Sequence, residues 1–318
     1  MSAGLPHFSC SWSRVWGRDI FLSLPGLLII PGRVAEAKYA LVLVRLMILS
    51  IASTARHGLI PNLISSMGAA PRYNSRDSTW FFLYGIKQYV QLTSDSNILS
   101  EKVYRVFRTD DSDADLVQDE DTVPLNVIIQ EIMQRHYSGI DFIERDAGEK
   151  IDSSMKEEGF HITCGVDPDT GFLFGGSRWN CGTWMDKMGS SEKAKNKGFP
   201  ATPRDGSCVE LVGLFSAISK WLEELSTKSQ YPYRGVKGTD ETVVTWGSLN
   251  VKIQQNFEKY FWIPQDRNEA MKKFPKDVSV LNRTGIYKDT VNSSLVYTDY
   301  QFRPNVLVSM VVVSSYFN

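Results

Sequence analysis

One acid stands among bulky apolar side chains in the stretch RWNCGTWMDKMG, residues 178–189. Trp184 and Met185 precede Asp186, and Met188 follows it. Apolar neighbours exclude water, and a carboxyl group that loses its water favours the neutral, protonated form. A carboxyl group that is neutral near physiological pH can donate a proton to a leaving group. This composition therefore makes Asp186 a candidate general acid.

The same acid has a simpler explanation as one half of a surface ion pair. Lys187, Lys193 and Arg178 all lie close to Asp186 along the chain. Any of these cations could hold the carboxylate in its charged form at the surface. Burial decides between the two roles, and residue types alone do not establish burial. Both interpretations stay open at this point.

Three further clusters combine an aromatic residue or a glycine with an arginine or an asparagine and an acid. They are VWGRD (residues 15–19), RYNSRDSTW (72–80) and TPRDGSCVE (202–210). Taken singly, their acids could be helix caps, and their arginines could hold loops by ion pairs. Carbohydrate sites need the same mixture, because acids and guanidinium groups bind neighbouring hydroxyls and flat rings lie against sugar faces. Four clusters in one chain favour a sugar site over four unrelated caps.

Several other classes of function lack support in the sequence. The net charge is −1, with 35 basic and 36 acidic residues, so nothing indicates a nucleic-acid or membrane-surface partner. The four histidines and four cysteines show no ligand-spaced pair, and we expect no metal site. An acidic run at 111–115 imitates a calcium loop, but Leu116 replaces the required glycine and Thr122 the required glutamate. Serine-hydrolase and phosphate-loop motifs are absent from the sequence.

Two apolar runs need to be compared with membrane segments. Residues 20–32 contain Pro25 and follow no basic leader, so they are more typical of a buried helix than of a signal peptide. Residues 39–52 contain Arg45 and are shorter than the roughly 20 residues that cross a bilayer. We therefore expect a soluble, intracellular protein without a membrane partner.

Helical periodicity dominates the chain. Regular apolar stripes predict helices over 122–137, 207–226 and 246–261, and less regular patterns predict helices over 19–30, 36–54, 78–92 and 303–313. Ser207 and Glu210 have the spacing of a capping box at the start of the second of these helices.

The remaining segments connect these helices. A hairpin is predicted over 160–176 with its turn at 168–171, and the acidic segment 109–121 is most simply a solvated loop. No Pro/Ser-rich linker divides the chain, so we expect a single domain over residues 1–318. Helices separated by long loops indicate a helical toroid or bundle whose site is built from loops at one end.

The four clusters belong to longer segments that resemble the amylo-α-1,6-glucosidase region of glycogen debranching enzymes. In chain order, the similar segments are LPHFS, WGRD, RHGLIPNL, RYNSRDSTWFFL, MKEEGFHIT, GVDPDTGF, NCGTWMDKMG, PATPRDGS, NFEKYFW, GIYKD and DYQFRPN. They cover nearly the whole chain in order, so chance does not explain them. The resemblance implies an inverting hydrolase that removes α-1,6-linked glucose stubs from glycogen limit dextrin. It also implies free glucose as the product, no cofactor and a cytoplasmic setting.

The same resemblance implies a fold and a domain arrangement. The fold class is all-α, an (α/α)6 barrel or toroid, here incomplete at both ends and with a short β-hairpin excursion. In the full enzymes a transferase domain lies in the same chain. We expect the 318 residues to be a single truncated glucosidase domain without it.

The resemblance also assigns roles to individual residues. The acid of the family's T-W-M-D motif is the general acid, which falls on Asp186. The W-G-R-D, R-Y-N-x-R-D and P-R-D-G segments resemble glucose-binding loops. The substrate-binding residues implied in this way are Trp16, Arg18, Asp19, Arg72, Asn74, Asp77, Trp184, Arg204 and Asp205.

The sequence departs from the family at the second catalytic carboxylate. An inverting glycosidase needs a base about 6.5–9.5 Å from the acid to activate water. The family's base is expected in a later segment like H-Q-G-P-E-W, which this sequence lacks. Glu210 and Asp299 are possible substitutes, but we expect Glu210 to cap with Ser207 and Asp299 to contact substrate or serve the structure. We therefore expect impaired hydrolysis, and the alternative is an inactive remnant that binds α-glucan without turnover.

Overall fold

The computed structural model describes residues 13–24, 26, 44–65, 71–110 and 122–317. The helices predicted over 19–30 and 36–54 lie partly outside these residues. The acidic segment 109–121 lies almost wholly outside them, and so does the run that imitates a calcium loop.

Helices form most of the regular structure in these ranges. The α-helices are α1 (Gly17–Leu24), α2 (44–52), α3 (Asp77–Thr93), α4 (Leu125–Ser138), α5 (Glu149–Asp152), α6 (Val209–Thr227), α7 (Trp246–Phe261), α8 (Arg267–Lys273) and α9 (Val306–Val312). The strands are β1 (Ser13–Trp16), β2 (Leu63–Ser65), β3 (Lys102–Tyr104), β4 (Thr122–Pro124), β5 (Ile140–Ile143), β6 (His161–Val166), β7 (Leu173–Gly175), β8 (Ser207–Cys208), β9 (Gly235–Lys237), β10 (Val243–Thr245), β11 (Trp262–Ile263), β12 (Ile286–Tyr287) and β13 (Thr290–Val291).

Helix α6 lies at the centre of the core. Its sequence is apolar on nearly every face, and 14 of its 19 residues are buried. A helix of this kind must be covered on all sides. Helices α3, α7 and α9 pack against it, and α1 packs against α3. The buried side chains of these helices form the main hydrophobic core. The loops that connect the helix ends are therefore available to form a site.

The regular apolar stripes located their helices well. Helix α7 coincides with the predicted range 246–261, while α4 and α6 begin two or three residues later than predicted because β4 and β8 occupy those positions. In the described part of the chain, no helix combines the length and apolar composition needed to span a membrane.

The predicted capping box at the start of α6 is wrong. Ser207 lies in β8 and pairs with Val291 of β13, and Cys208 is the residue before the helix. Glu210 is 1% exposed, and both of its carboxylate oxygens accept hydrogen bonds from the Arg204 guanidinium group. A buried carboxylate without a countercharge costs far more than an unmade helix cap. Glu210 therefore pairs with the arginine.

The strand content exceeds the single hairpin that the sequence predicted. That hairpin is confirmed as β6 and β7, and Asp167 accepts hydrogen bonds from the backbone N–H groups of Asp169 and Thr170 at its turn. Strand β5 adds to this hairpin, and five two-stranded antiparallel sheets join other described loops. Long loops between helices need such pairs because buried backbone groups require hydrogen-bond partners. The described chain is thus mostly helical with small sheets, and its helices do not close a barrel.

Gly213 of α6 permits a close approach of α9. A Cβ atom at Gly213 would lie 2.9 Å from the Ser309 Cα atom, so it could be accommodated only by a shift of the α9 backbone. We expect Gly213→Ala to lower the free energy of unfolding by about 1–3 kcal/mol, measured by urea unfolding. Gly247→Ala is the matched control, because its Cβ would meet only the flexible Glu223 carboxyl group. Equal stability of the two variants would contradict this account of the helix contact.

His136 of α4 is buried in its neutral form. Its Nδ1–H donates to the Ile132 carbonyl oxygen, and its Nε2 has no partner among the described residues. Burial lowers the pKa of His136 from 6.5 to about 4, although the bond to Ile132 opposes the shift. Protonation of the folded protein would place a charge in the core without a countercharge.

This histidine should make the folded protein less stable as the pH is lowered. Between pH 6.5 and about 4 the unfolded chain binds a proton at His136 and the folded chain does not, so stability falls as pH falls through that window. The wild type should lose free energy of unfolding between about pH 7 and about pH 5. We expect this loss to be smaller by about 2 kcal/mol in His136→Leu than in the wild type. Urea unfolding at both pH values measures it. Ile128→Val, on the same helix, should show the same change in free energy of unfolding between the two pH values as the wild type. The prediction is wrong if His136→Leu also shows the wild-type change.

Candidate active site

The guanidinium group of Arg18 joins two of the predicted clusters. Gly17 is the first residue of α1 and lies against the backbone that precedes β2. A Cβ atom at this position would lie 2.2 Å from the Pro61 carbonyl oxygen. The next residue, Arg18, is 5% exposed, and its Nε–H donates to both Asp77 oxygens at 2.9 and 2.8 Å. Asp77 is fully buried in the first turn of α3, where the helix dipole also favours a negative charge. This buried ion pair fixes α1 against α3.

Asp186 is bound by the same guanidinium group. Arg18 Nη1 donates to Asp186 Oδ2 at 3.1 Å, and the Lys187 Nζ atom lies 3.3 Å from Oδ1. The Asp186 side chain is 27% exposed and the Lys187 side chain is 91% exposed, so the lysine contact is a weak surface pair. Asp186 is therefore both partly buried and ion-paired. The sequence had offered these two features as alternatives, a water-excluded acid or a surface ion pair.

Three carboxyl groups share the single positive charge of Arg18. The third is Asp19, which is half-buried. Burial raises the pKa of Asp19 above its usual range, and the charges of Asp186 and Asp77 add to the shift while Arg18 opposes it. A site with more carboxylates than cations favours retention of a proton. Asp19 therefore retains a proton more readily than an exposed aspartate does.

Ser75 completes the contacts of Arg18, and sequence reasoning missed it. Its Oγ atom accepts from Arg18 Nη2 at 3.1 Å and donates to the Asp77 carboxylate. A serine two residues before a helical acid resembles an ordinary turn residue, so its role is recognisable only once the arginine is in place.

Arg76 connects the loop that carries Asp186 to the PRDG loop, and it was also missed. Its side chain is buried and donates to the carbonyl oxygens of Arg204 at 2.8 Å and Gly206 at 3.3 Å. Its backbone N–H donates to the Gly182 carbonyl oxygen at 2.8 Å. The second arginine of RYNSRD was the available signal, but a structural arginine and a ligand-binding arginine look alike in a sequence.

The PRDG loop is built around the buried side chain of Arg204. The side chains of Arg204, Glu210 and Asp289 are each 1% exposed. Arg204 donates two bonds to Glu210 and two to Asp289, the latter at 2.8 and 3.0 Å, and one at 3.3 Å to Thr183 Oγ1. These bonds use all five N–H groups of the guanidinium group. Arg204 has no N–H left for a sugar hydroxyl.

Trp184 lies next to this buried network but faces solvent. The residue is 46% exposed, and its indole Nε1–H donates to Asn305 Oδ1 at 3.1 Å. Arg303 Nη1 lies 3.1 Å from the Met185 sulfur, so two residues of the DYQFRPN segment contact the loop that carries Asp186. An exposed ring with one anchored edge offers a flat apolar face of the kind that sugars lie against.

Other predicted residues lie around this centre. Trp16 pairs with Leu63 in the β1–β2 ladder, and Leu63 also forms a bridge with Arg72. Arg72 makes a two-bond ion pair with Glu144, both bonds at 2.9 Å. Asn74 is half-buried. The short ladder thus brings Trp16 and Arg72 to neighbouring positions although 56 residues separate them.

Asp205 carries a carboxylate oxygen that is not satisfied by the described residues. Asp205 is 5% exposed, and its Oδ2 accepts from the Ser294 backbone N–H at 2.8 Å. Its Oδ1 is buried without a hydrogen-bond partner in the described part of the chain. A buried acceptor of this kind is costly unless water or a ligand donates to it.

The cysteines beside the site do not supply a nucleophile. Burial raises the pKa of the Cys164, Cys181 and Cys208 thiols to about 12. Nucleophilic attack needs the thiolate, which is scarce near neutral pH at such values. Within the described ranges, no three His, Cys, Asp or Glu side chains are grouped so that they could hold a metal ion.

Removal of the Arg204 charge should destabilise the protein strongly. Arg204→Met leaves Glu210 buried without a countercharge and leaves Asp289 with only the longer contact to Arg303 Nε at 3.5 Å. We expect the free energy of unfolding to fall by about 3–5 kcal/mol, measured by urea unfolding. Arg178→Met is the matched control, because that guanidinium group is exposed and lies over the Trp179 ring. A loss as small as that of the control would show that the buried pairs are not needed for stability.

Comparison with known proteins identifies the family. The family model described as amylo-alpha-1,6-glucosidase matches residues 1–318. The glycogen debranching enzyme of Saccharomyces cerevisiae is 43% identical over 327 aligned residues, which cover 100% of this chain and 20% of the yeast protein. The chain thus spans about a fifth of the length of that relative. This chain belongs to the amylo-alpha-1,6-glucosidase family.

Proposed function

We propose that this chain forms the glucosidase unit of a cytoplasmic debranching enzyme and removes α-1,6-linked glucose stubs from glycogen limit dextrin with inversion. Family membership supports glycoside hydrolysis on glycogen. The observation that carries the proposal is the position of Asp186, which is partly exposed, follows the exposed Trp184 by two residues and is bonded to the buried Arg18–Asp77 pair. We assign the helices to an incomplete (α/α)6 barrel whose end carries these loops.

Asp186 is assigned as the general acid. Its Oδ2 accepts from Arg18 at 3.1 Å, so the transferable proton belongs on Oδ1. Oδ1 faces the exposed Lys187 ammonium group, which an incoming sugar can displace at little cost. Asp186 then protonates the bridging oxygen as the bond from that oxygen to the anomeric carbon breaks.

The other predicted site residues divide into sugar contacts and a supporting frame. Trp184 supplies the flat face and Asp19 accepts from sugar hydroxyls, whereas the unpartnered Oδ1 of Asp205 is buried and reaches a sugar hydroxyl only if the loop around it moves. The residues at the rim are Trp16, Arg72 and Asn74, and the frame consists of Arg18, Asp77 and Arg204, whose contacts are largely within the protein.

The mechanism also needs a base on the opposite face of the sugar, about 6.5–9.5 Å from the acid. Asp77, Glu210 and Asp289 are each held by a buried arginine. Asp299 accepts from two hydroxyl groups and two backbone N–H groups, which gives it a structural environment. Carboxylates in such contacts are poorly placed to activate water. We assign the base to the family's H-Q-G-P-E-W-like segment, so hydrolysis by these 318 residues alone is impaired.

A second candidate function is binding of α-glucan without turnover. The four engaged carboxylates favour it, because each is held by protein partners and none of these four is free to activate water. In this case the chain retains affinity for oligosaccharides and releases no glucose.

Replacement of the acid separates these candidates in the full-length protein that contains this chain. Asp186→Asn keeps the shape of the side chain and removes the proton, so we expect kcat for glucose release from limit dextrin to fall by about 100- to 10,000-fold. A coupled glucose assay measures the rate, and proton NMR of the product identifies β-glucose as the first anomer if inversion occurs. Asp240→Asn, in the exposed turn between β9 and β10, is the matched control.

The possible results have distinct meanings. Undiminished turnover by Asp186→Asn removes this residue from the mechanism, and α-glucose as the first product excludes inversion. The same assay on the 318-residue chain, together with calorimetric titration with maltotetraose, distinguishes hydrolysis from binding alone. A full-length protein that neither hydrolyses nor binds α-glucan contradicts both candidate functions.

A further inference from the structure

The side chain of Asn305 does not do what its position in the chain predicts. Asn305 precedes α9 at the N-cap position, where an asparagine usually accepts from the N–H groups of its own helix. No such cap bond forms here. Instead, Oδ1 accepts from Trp184 Nε1–H at 3.1 Å, and Nδ2–H donates to Asp289 Oδ1 at 2.6 Å. The amide is directed away from its own helix and toward the loop that carries the acid.

Asp289 determines which end of the amide faces the indole. A carboxylate only accepts hydrogen bonds, so the NH2 end of Asn305 must face Asp289 and the carbonyl end is left for Trp184. An indole N–H only donates, and it therefore needs that carbonyl. Asp289 is itself fixed by Arg204 Nε at 2.8 Å and Nη2 at 3.0 Å. The bonds from the buried arginine to the exposed indole allow a single orientation of the amide.

The bond from Asn305 holds a ring that is otherwise largely exposed to solvent. Trp184 is 46% exposed, whereas Asn305 is 2% exposed and Asp289 is 3% exposed. A rigid, buried acceptor thus fixes one edge of an exposed aromatic ring. The two partners are 121 residues apart in the chain, so the bond exists only in the folded protein.

We propose that Asn305 is a positioning residue that orients the Trp184 ring toward the sugar, with Asp289 setting the direction of its amide. The proposal rests on the proposed function, in which Trp184 contacts the substrate. A flat ring contacts the sugar in the ground state as well as in the transition state. Loss of its orientation therefore weakens binding more than it slows the chemical step.

Kinetics of three variants test this role in the full-length protein. We expect Asn305→Leu to raise KM for limit dextrin about fivefold to tenfold, as for one lost hydrogen bond, with kcat within about threefold of wild type. Trp184→Phe keeps a ring without the N–H and should raise KM similarly. The double variant should show no more than the effect of Trp184→Phe alone, because both changes remove the same contact. If the wild type binds sugar without turnover, the Kd for maltotetraose from calorimetry replaces KM.

A matched control separates positioning from stability. Asn250 on α7 accepts from the Tyr316 hydroxyl at 2.8 Å and is not part of the network around Trp184. Asn250→Leu should lower the Tm and leave KM unchanged. A spectroscopic signature comes from protein labelled with 5-fluorotryptophan. The fluorine signal that disappears in Trp184→Phe should shift in Asn305→Leu and stay in place in Asn250→Leu.

The outcomes decide the proposal separately from the function on which it rests. Unchanged KM and an unshifted signal in Asn305→Leu overturn it, and so does a double variant whose KM effect is the product of the two single effects. An equal rise of KM in Asn250→Leu shows general destabilisation instead and also overturns it. A wild-type protein that neither hydrolyses nor binds α-glucan contradicts the proposed function. In that case a shifted signal still establishes the contact between Asn305 and Trp184.

Discussion

The buried ion pair between Arg18 and Asp77 is the contact on which the rest of the candidate site depends. A guanidinium group inside a protein needs a carboxylate, and a carboxylate in the first turn of a helix is further stabilised by the helix dipole. Asp77 meets both conditions as the partner of Arg18. The guanidinium group of Arg18 still reaches Asp186 and Ser75. The position of the candidate acid is therefore set by a charge that could not be buried without Asp77.

Another buried arginine has a comparable effect on the loop that carries the acid. Arg204 has no N–H left for a ligand, yet it fixes Asp289, and through Asn305 it reaches the exposed ring of Trp184. Most of the charged residues of this region are thus used to hold loops rather than to meet a sugar. The loops of this region are thus held by buried ion pairs, an arrangement that suits preorganised catalysis.

The parts of the fold that could be predicted are those set by local patterns. Helix α7 follows its apolar stripe from end to end, and the hairpin of β6 and β7 follows from an aspartate and a glycine at its turn. The starts of α4 and α6 were placed too early, because β4 and β8 pair with distant strands and claim those residues. Pairing between short strands leaves little trace in a sequence, since two or three residues carry no periodicity.

The sequence by itself determined which residues could take part: the acid between a tryptophan and two methionines, the four clusters around it, and the family to which their motifs belong. Only the tertiary structure decided which charges face inward. Glu210 has the spacing of a capping residue but pairs with Arg204, and Asn305 has the position of a helix cap but bonds to Trp184. The physical reason is distance along the chain. Periodicity and capping act over a few residues, whereas the partners that satisfy the buried charges are 59 residues apart for Arg18 and Asp77 and 85 for Arg204 and Asp289.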